Sequence, residues 1–139
     1  MKTDKEQISE LVKAYQNAIH TQKREDFLPL WTGEDNNVLI SITTQYTGLE
    51  NIYRDFLINE IQKNYSSITL IAEDTDIRFI SDDITTVVFQ YHTECIRRET
   101  GEEYGISGIE TQVVKKVDDA WKLVHIHYSK KWISKNGWG

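Results

Sequence analysis

Apolar positions in this chain follow two rhythms, one before about residue 64 and another after Ser66. In the first part Ile8, Leu11, Val12, Tyr15 and Ile19 recur three to four residues apart, the spacing of one helical face. Thr3 and Glu6 stand as a capping box ahead of them, so the pattern predicts a helix over about residues 4 to 23. Asp26 reads as the cap of a second, short helix. Pro29 then falls in its first turn, with Phe27, Leu30 and Trp31 on its buried side. Asn36-Asn37 marks a turn before the β-prone run Val38 to Ile42. Thr47 and Glu50 read as a second capping box, and Leu49, Ile52, Tyr53, Phe56, Leu57 and Ile61 carry a helix to about Asn64.

Beyond Ser66 the period drops to two. Ile68 to Ile80, Thr85 to Ile96, Tyr104 to Val117 and Trp121 to Ser129 are rich in β-branched and aromatic residues, with short turn-forming links between them. Such links predict an antiparallel meander. Helices followed by a long meander imply an α+β fold in which N-terminal helices cover a curved antiparallel sheet, leaving a cone with a cavity. Regular alternation in the last strand places Trp121, Leu123, His125 and His127 on one face. Lys122, Val124, Ile126 and Tyr128 take the other, and both faces are bulky enough to need cover.

Composition narrows the classes. A chain of 139 residues suits one domain, with a core over about 4–129 and a tail at 130–139. Hydrophobic content of 39% with 27% charged residues fits a soluble protein, and no apolar run reaches the length of a membrane span. The N-terminus lacks the basic start and apolar stretch of a secretory signal, so a cytoplasmic protein is expected. The lone Cys95 reads as a buried structural thiol. A net charge of −6 argues against binding to phosphate backbones, so neither nucleic acid nor membrane is an expected partner. Gly-rich phosphate loops, nucleophile elbows and zinc-finger spacings are missing from the sequence, and no cofactor is expected.

This order of elements, with the final strand Trp-Lys-Leu-Val-His-Ile-His-Tyr-Ser and the Thr47-Gly48-Leu49-Glu50 segment, resembles the nuclear transport factor 2-like (cystatin-like) superfamily. Within it the chain is most similar to SnoaL-like proteins and to the association (hub) domain of calcium/calmodulin-dependent protein kinase II. The resemblance implies a cone that pairs sheet to sheet through the face of Trp121, Leu123, His125 and His127. It also implies that Phe89, Tyr91, Glu110, Gln112, Val124, Ile126 and Tyr128 look inward. The hub's three cavity arginines fall on Tyr91, Gln112 and Tyr128, none of them basic, so an anion pocket is not expected. Ketosteroid isomerase is a further relative by fold; its helix-one tyrosine falls on Tyr15 and its strand acid on Glu110. Its carboxylate base falls near Leu39 or Ile40, where no carboxylate stands.

The candidate chemistry follows from these positions. A carboxyl at Glu110 beside the phenol of Tyr15 in an apolar cavity would hold its proton to higher pH and serve as a hydrogen-bond donor. The alternative is a packed phenol and a structurally bonded carboxylate. His125 and His127 offer two imidazoles, with His92 as a possible third ligand, but the reading taken is packing at an interface with no metal. The expected cavity wall is Tyr15, Ile52, Phe56, Phe89, Tyr91, Glu110, Gln112, Ile126 and Tyr128. The function read from all this is a homo-oligomeric module that binds a small apolar or neutral polar ligand and lacks a complete catalytic set. Two alternatives stand beside it: an isomerase or lyase using Glu110 with Tyr15 and Tyr91, and a regulatory hub associating with kinase-type partners.

Overall fold

The computed structural model describes residues 1–131; the tail expected at 130–139 lies almost wholly outside them. Helix α1 spans Asp4–Thr21 and is opened by the predicted capping box, with Thr3 and Glu6 each bonding the other's backbone N–H. Its stripe Ile8, Leu11, Val12, Tyr15, Ala18 and Ile19 is buried, and Gln22 ends it in the left-handed conformation. Helix α2, Arg24–Phe27, runs into a 3₁₀ turn at Leu28–Leu30 that holds Pro29. Asp26 is therefore not a cap. It lies inside α2 and accepts a hydrogen bond from the Thr21 hydroxyl at 2.7 Å, bracing the junction with α1.

Among the described residues seven strands follow, with one further helix among them: β1 Val38–Ile40, β2 Gln45–Thr47, β3 Tyr65–Phe79, β4 Ile84–Arg97, β5 Glu103–Tyr104, β6 Ser107–Val117 and β7 Ala120–Tyr128. They form one sheet in the order β2-β1-β7-β6-β4-β3, with β5 paired to β4. The meander β3-β4-β6-β7 is antiparallel as expected, but β1 joins β7 in parallel, which makes the sheet mixed.

Helix α3 starts at Leu49–Asn51 and continues as a π-helix over Ile52–Gln62, closed by an N–H of Lys63 on the carbonyl of Ile58. The wider turn suits a sequence whose buried positions Ile52, Phe56 with Leu57, and Ile61 fall four to five residues apart. The second capping box does not form. Thr47 is held in β2 opposite Val38, Glu50 pairs with Arg24, and Gly48, at φ 88°, occupies the cap position.

The strand pairing corrects one expectation. Between β6 and β7 the register shifts by one residue: Val113 faces His125, but the next position, Val114, faces Leu123. Val124 is thus the extra residue of a β-bulge. Regular alternation would leave Trp121 and Leu123 beside His125 and His127 on the outer face; the bulge turns them inward. They are 5% and 0% exposed within the single chain. The Trp121 indole N–H donates to Asp4 at the start of α1, and the Leu123 carbonyl accepts from Thr32.

Candidate functional site

The helices lie on the concave side of the sheet and fill it unevenly. Near the start of α1 the space is packed solid by Ile8, Phe27, Trp31, Leu39, Val87, Val114 and Leu123. Toward the end of α1 a cavity of about 240 Å³ opens, bounded by Tyr15 and Ile19 of α1, Phe56, Glu60 and Ile61 of α3, and the ends of the central strands. Of the expected wall, Tyr15, Phe56, Tyr91, Glu110 and Tyr128 line it. Ile52, Phe89, Gln112 and Ile126 do not: they are fully buried in the packing behind it.

Glu110 points inward by the parity of β6, opposite Phe89 of β4 and Tyr128 of β7. It is 2% exposed, and loss of hydration pushes its carboxyl up to about 7 against the ordinary 4.5. The opposing influence is the Gln112 amide, which donates to one carboxyl oxygen at 2.7 Å. Among the described residues the amide's own oxygen is buried without a partner. Rotated by half a turn, the same side chain presents that oxygen to a protonated Glu110, so Gln112 can serve either charge state.

The phenols are deployed unequally. Tyr15 is buried, its hydroxyl held strongly neutral by desolvation and then by the charge of Glu110, yet among the described residues no hydrogen bond joins the pair. Tyr91 spends its hydroxyl on the backbone, donating to the carbonyl of Ser129 at 2.6 Å, and is not an open donor to the cavity. That contact depends on Gly108, since a β-carbon there would collide with the Ser129 carbonyl and crowd the Tyr91 ring. Tyr128 stands edge-on to Tyr91 at 5.9 Å and tilted against Phe56 at 6.2 Å, closing an aromatic corner.

The residue that sequence reasoning passed over is Glu60. It projects from α3 into the same cavity, accepts a hydrogen bond from the Tyr46 hydroxyl at 3.2 Å, and is raised above the usual carboxylate range by desolvation. A signal existed: Glu60 lies four residues after Phe56, on the helical face that carries the apolar stripe. Cys95, expected as a buried thiol, is buried and also forms part of the wall, and burial raises its thiol.

On the convex side His125 and His127 do share a face, with Val38 and Ile40 of β1 opposite them in the register. Burial lowers the basicity of His125, and the neighbouring His127 acts in the same direction. His92 is held elsewhere on that face, between Glu73 at 2.8 Å and Glu94 at 3.6 Å. Among the described residues no cluster of histidine, cysteine and carboxylate side chains is arranged to hold a metal ion. Nor is any helix there long and apolar enough to cross a membrane.

Solved structures share this architecture. A nuclear transport factor 2-like superfamily protein from Salmonella enterica serovar Typhimurium superposes with a TM-score of 0.88 at 24% identity, covering 97% of this chain and 96% of that one. Hexachlorocyclohexane dehydrochlorinase LinA-type3 from Novosphingobium barchaimii gives 0.79 at 14% identity, covering 90% and 84%. A candidate calcium/calmodulin-dependent protein kinase II association domain from Xanthomonas campestris gives 0.78 at 16%, covering 94% and 89%. At these identities the likeness establishes the fold. A search among curated proteins returns no match. The SnoaL-like domain family matches residues 8–132, and with the curled sheet, the covering helices and the cavity between them, the chain belongs to that family.

Proposed function

We propose that this protein binds a small, largely apolar molecule inside the cone and self-associates through the outer face of its sheet. The observation that carries the reading is the cavity itself, a hollow of about 240 Å³ walled by aromatic rings, with a dry carboxyl at Glu110 set into it. Apolar pockets with a few convergent polar groups are the usual form of small-molecule sites. Binding is tested by NMR titration with a panel of ketones, hydroxy acids and enols. Saturable shifts of the Tyr15, Tyr91 and Tyr128 rings are expected. The location is checked at Cys95, which a bound ligand should protect from methyl methanethiosulfonate; a panel that moves none of these signals overturns the reading.

The second reading, an isomerase or lyase, is favoured by the Glu110 carboxyl at about 7, which populates both proton-accepting and proton-donating forms near neutrality. Eliminations of the kind for which LinA-type3 is named need a proton acceptor, and Glu110 would supply it here. Turnover lost in Glu110→Gln with ligand binding retained supports this reading, and turnover that survives the substitution defeats it.

The self-associating face is now narrower than the sequence pattern suggested. With Trp121 and Leu123 inside, it consists of Val38, Ile40, His125 and His127, with Val113 and the exposed Ile109 on the adjoining β6. Light scattering at micromolar concentration should return a two-fold dimer, weakened by Ile109→Asp; a monomer in the unsubstituted protein, or a large ring, refutes it.

A further inference from the structure

Among the described residues the cavity wall carries two acids and no base. Glu110 enters from β6 and Glu60 from α3, and the rest of the wall is hydrocarbon, aromatic, hydroxyl, amide or thiol. Both carboxyls act on the same rings, because Tyr15 and Tyr128 each feel the charge of Glu60 and of Glu110. The groups that ease their burial are neutral: the Gln112 amide at Glu110, and the hydroxyls of Tyr46 and Ser41 at Glu60. Arg97 acts on Tyr65 and Cys95 at one side of the wall but is drawn over the ring of Tyr104, 3.9 Å from its centroid. It is not among the groups acting on either carboxyl.

A neutral ligand would leave these acids as it found them, and an anion would add a third negative charge to a dry space. A cation meets two counter-charges and the faces of aromatic rings, whose electron-rich faces attract positive charge. We propose that the cavity selects a small organic cation, an amine or a quaternary ammonium, with Glu110 and Glu60 as its counter-charges. This rests on the small-molecule reading above and replaces its expected neutral ligand with a charged one. Binding of a permanent cation favours the ionised form of Glu110, so it releases a proton, and affinity rises with pH.

The test compares three probes of one shape: choline, its neutral carbon isostere 3,3-dimethylbutan-1-ol, and the anion 3,3-dimethylbutanoate. Each is titrated while the Tyr15, Tyr91 and Tyr128 ring signals are followed. Choline should bind at least about tenfold tighter than the alcohol at pH 8, and that advantage should shrink by up to about tenfold per pH unit as Glu110 takes up its single proton. Glu110→Gln and Glu60→Gln should each weaken choline several-fold and leave the alcohol unchanged. Glu60 is only partly buried, so its variant keeps the test alive if Glu110→Gln fails to fold. An alcohol or an anion that binds as tightly as choline overturns the charge selection and leaves the small-molecule reading standing. Ring signals unmoved by all three probes overturn both.

Discussion

The two ends of the cone's interior obey the same geometry and carry opposite chemistry. At the end where α1 begins, inward positions are Val87, Val114 and Leu123, locked against Ile8 and Phe27. At the end where α1 finishes, the same strands turn Tyr91, Glu110 and Tyr128 inward, and the helices stand off far enough to leave a void. Strand parity dictates direction at both ends. At the packed end, Thr85 apart, it also selects hydrocarbon, and the wider departure from that rule is what marks the cavity.

The contrast can be broken first at the packed end. Phe27 is fully buried against Tyr15 and Trp31, so Phe27→Ala should cost about 3–5 kcal/mol in urea unfolding. Truncating the cavity-facing Phe56, which already borders empty space, should cost visibly less. Equal losses at the two sites would mean that the void is closed in solution.

Charge sharpens the comparison next. Because the folded-state value of Glu110, about 7, lies above the ordinary 4.5, the folded protein keeps this proton through a window in which the unfolded chain has lost it. Its contribution is therefore most favourable below about pH 4.5 and declines as pH rises toward 7. Above that window the buried charge costs about 3 kcal/mol, at roughly 1.4 kcal/mol per unit. Glu110→Gln should accordingly stabilise the protein by up to about 3 kcal/mol at pH 8 and by little near pH 4.5. A gain that is the same at both pH values would show that Glu110 is already hydrated or paired.

The smallest effect tests the bulge that brings Trp121 and Leu123 to the packed end. Deleting Val124 removes the extra residue and leaves every other side chain of β7 on its present face. The deletion should therefore fold, at a cost of about 1–2 kcal/mol for the lost local geometry. A strand with unbroken alternation would respond by inverting one end of itself, and loss of folded protein in circular dichroism would favour that description.

Much of the fold was legible because local and tertiary preferences agree over long stretches. Thr3 with Glu6 forms the cap it promises, and the four long strands fall within a few residues of their patterns. Legibility failed where a residue had a stronger long-range partner than its sequence neighbours offered. Glu50 was taken by Arg24, Asp26 by Thr21, and Thr47 by the pairing with β1. Val124 could not be recognised as extra because a bulge is a relation between two strands, and both flanking stretches alternate perfectly well alone. At the site, Glu110, Tyr15, Tyr91 and Tyr128 were found by parity and resemblance. Glu60 escaped because a single charge on an apolar helical face looks like surface until the void opposite it is seen.

Gly108 gives the cavity a latent reagent. The hydroxyl of Tyr91 already stands at the wall, but the backbone of Ser129 occupies it, and the empty side of Gly108 is what lets that backbone come so near. Whether the Tyr91 hydroxyl is open to the cavity is thus set partly by a residue that does not line it. A lineage carrying this cone can gain or lose a proton donor by changing how closely two strands approach, while every residue facing the cavity stays the same.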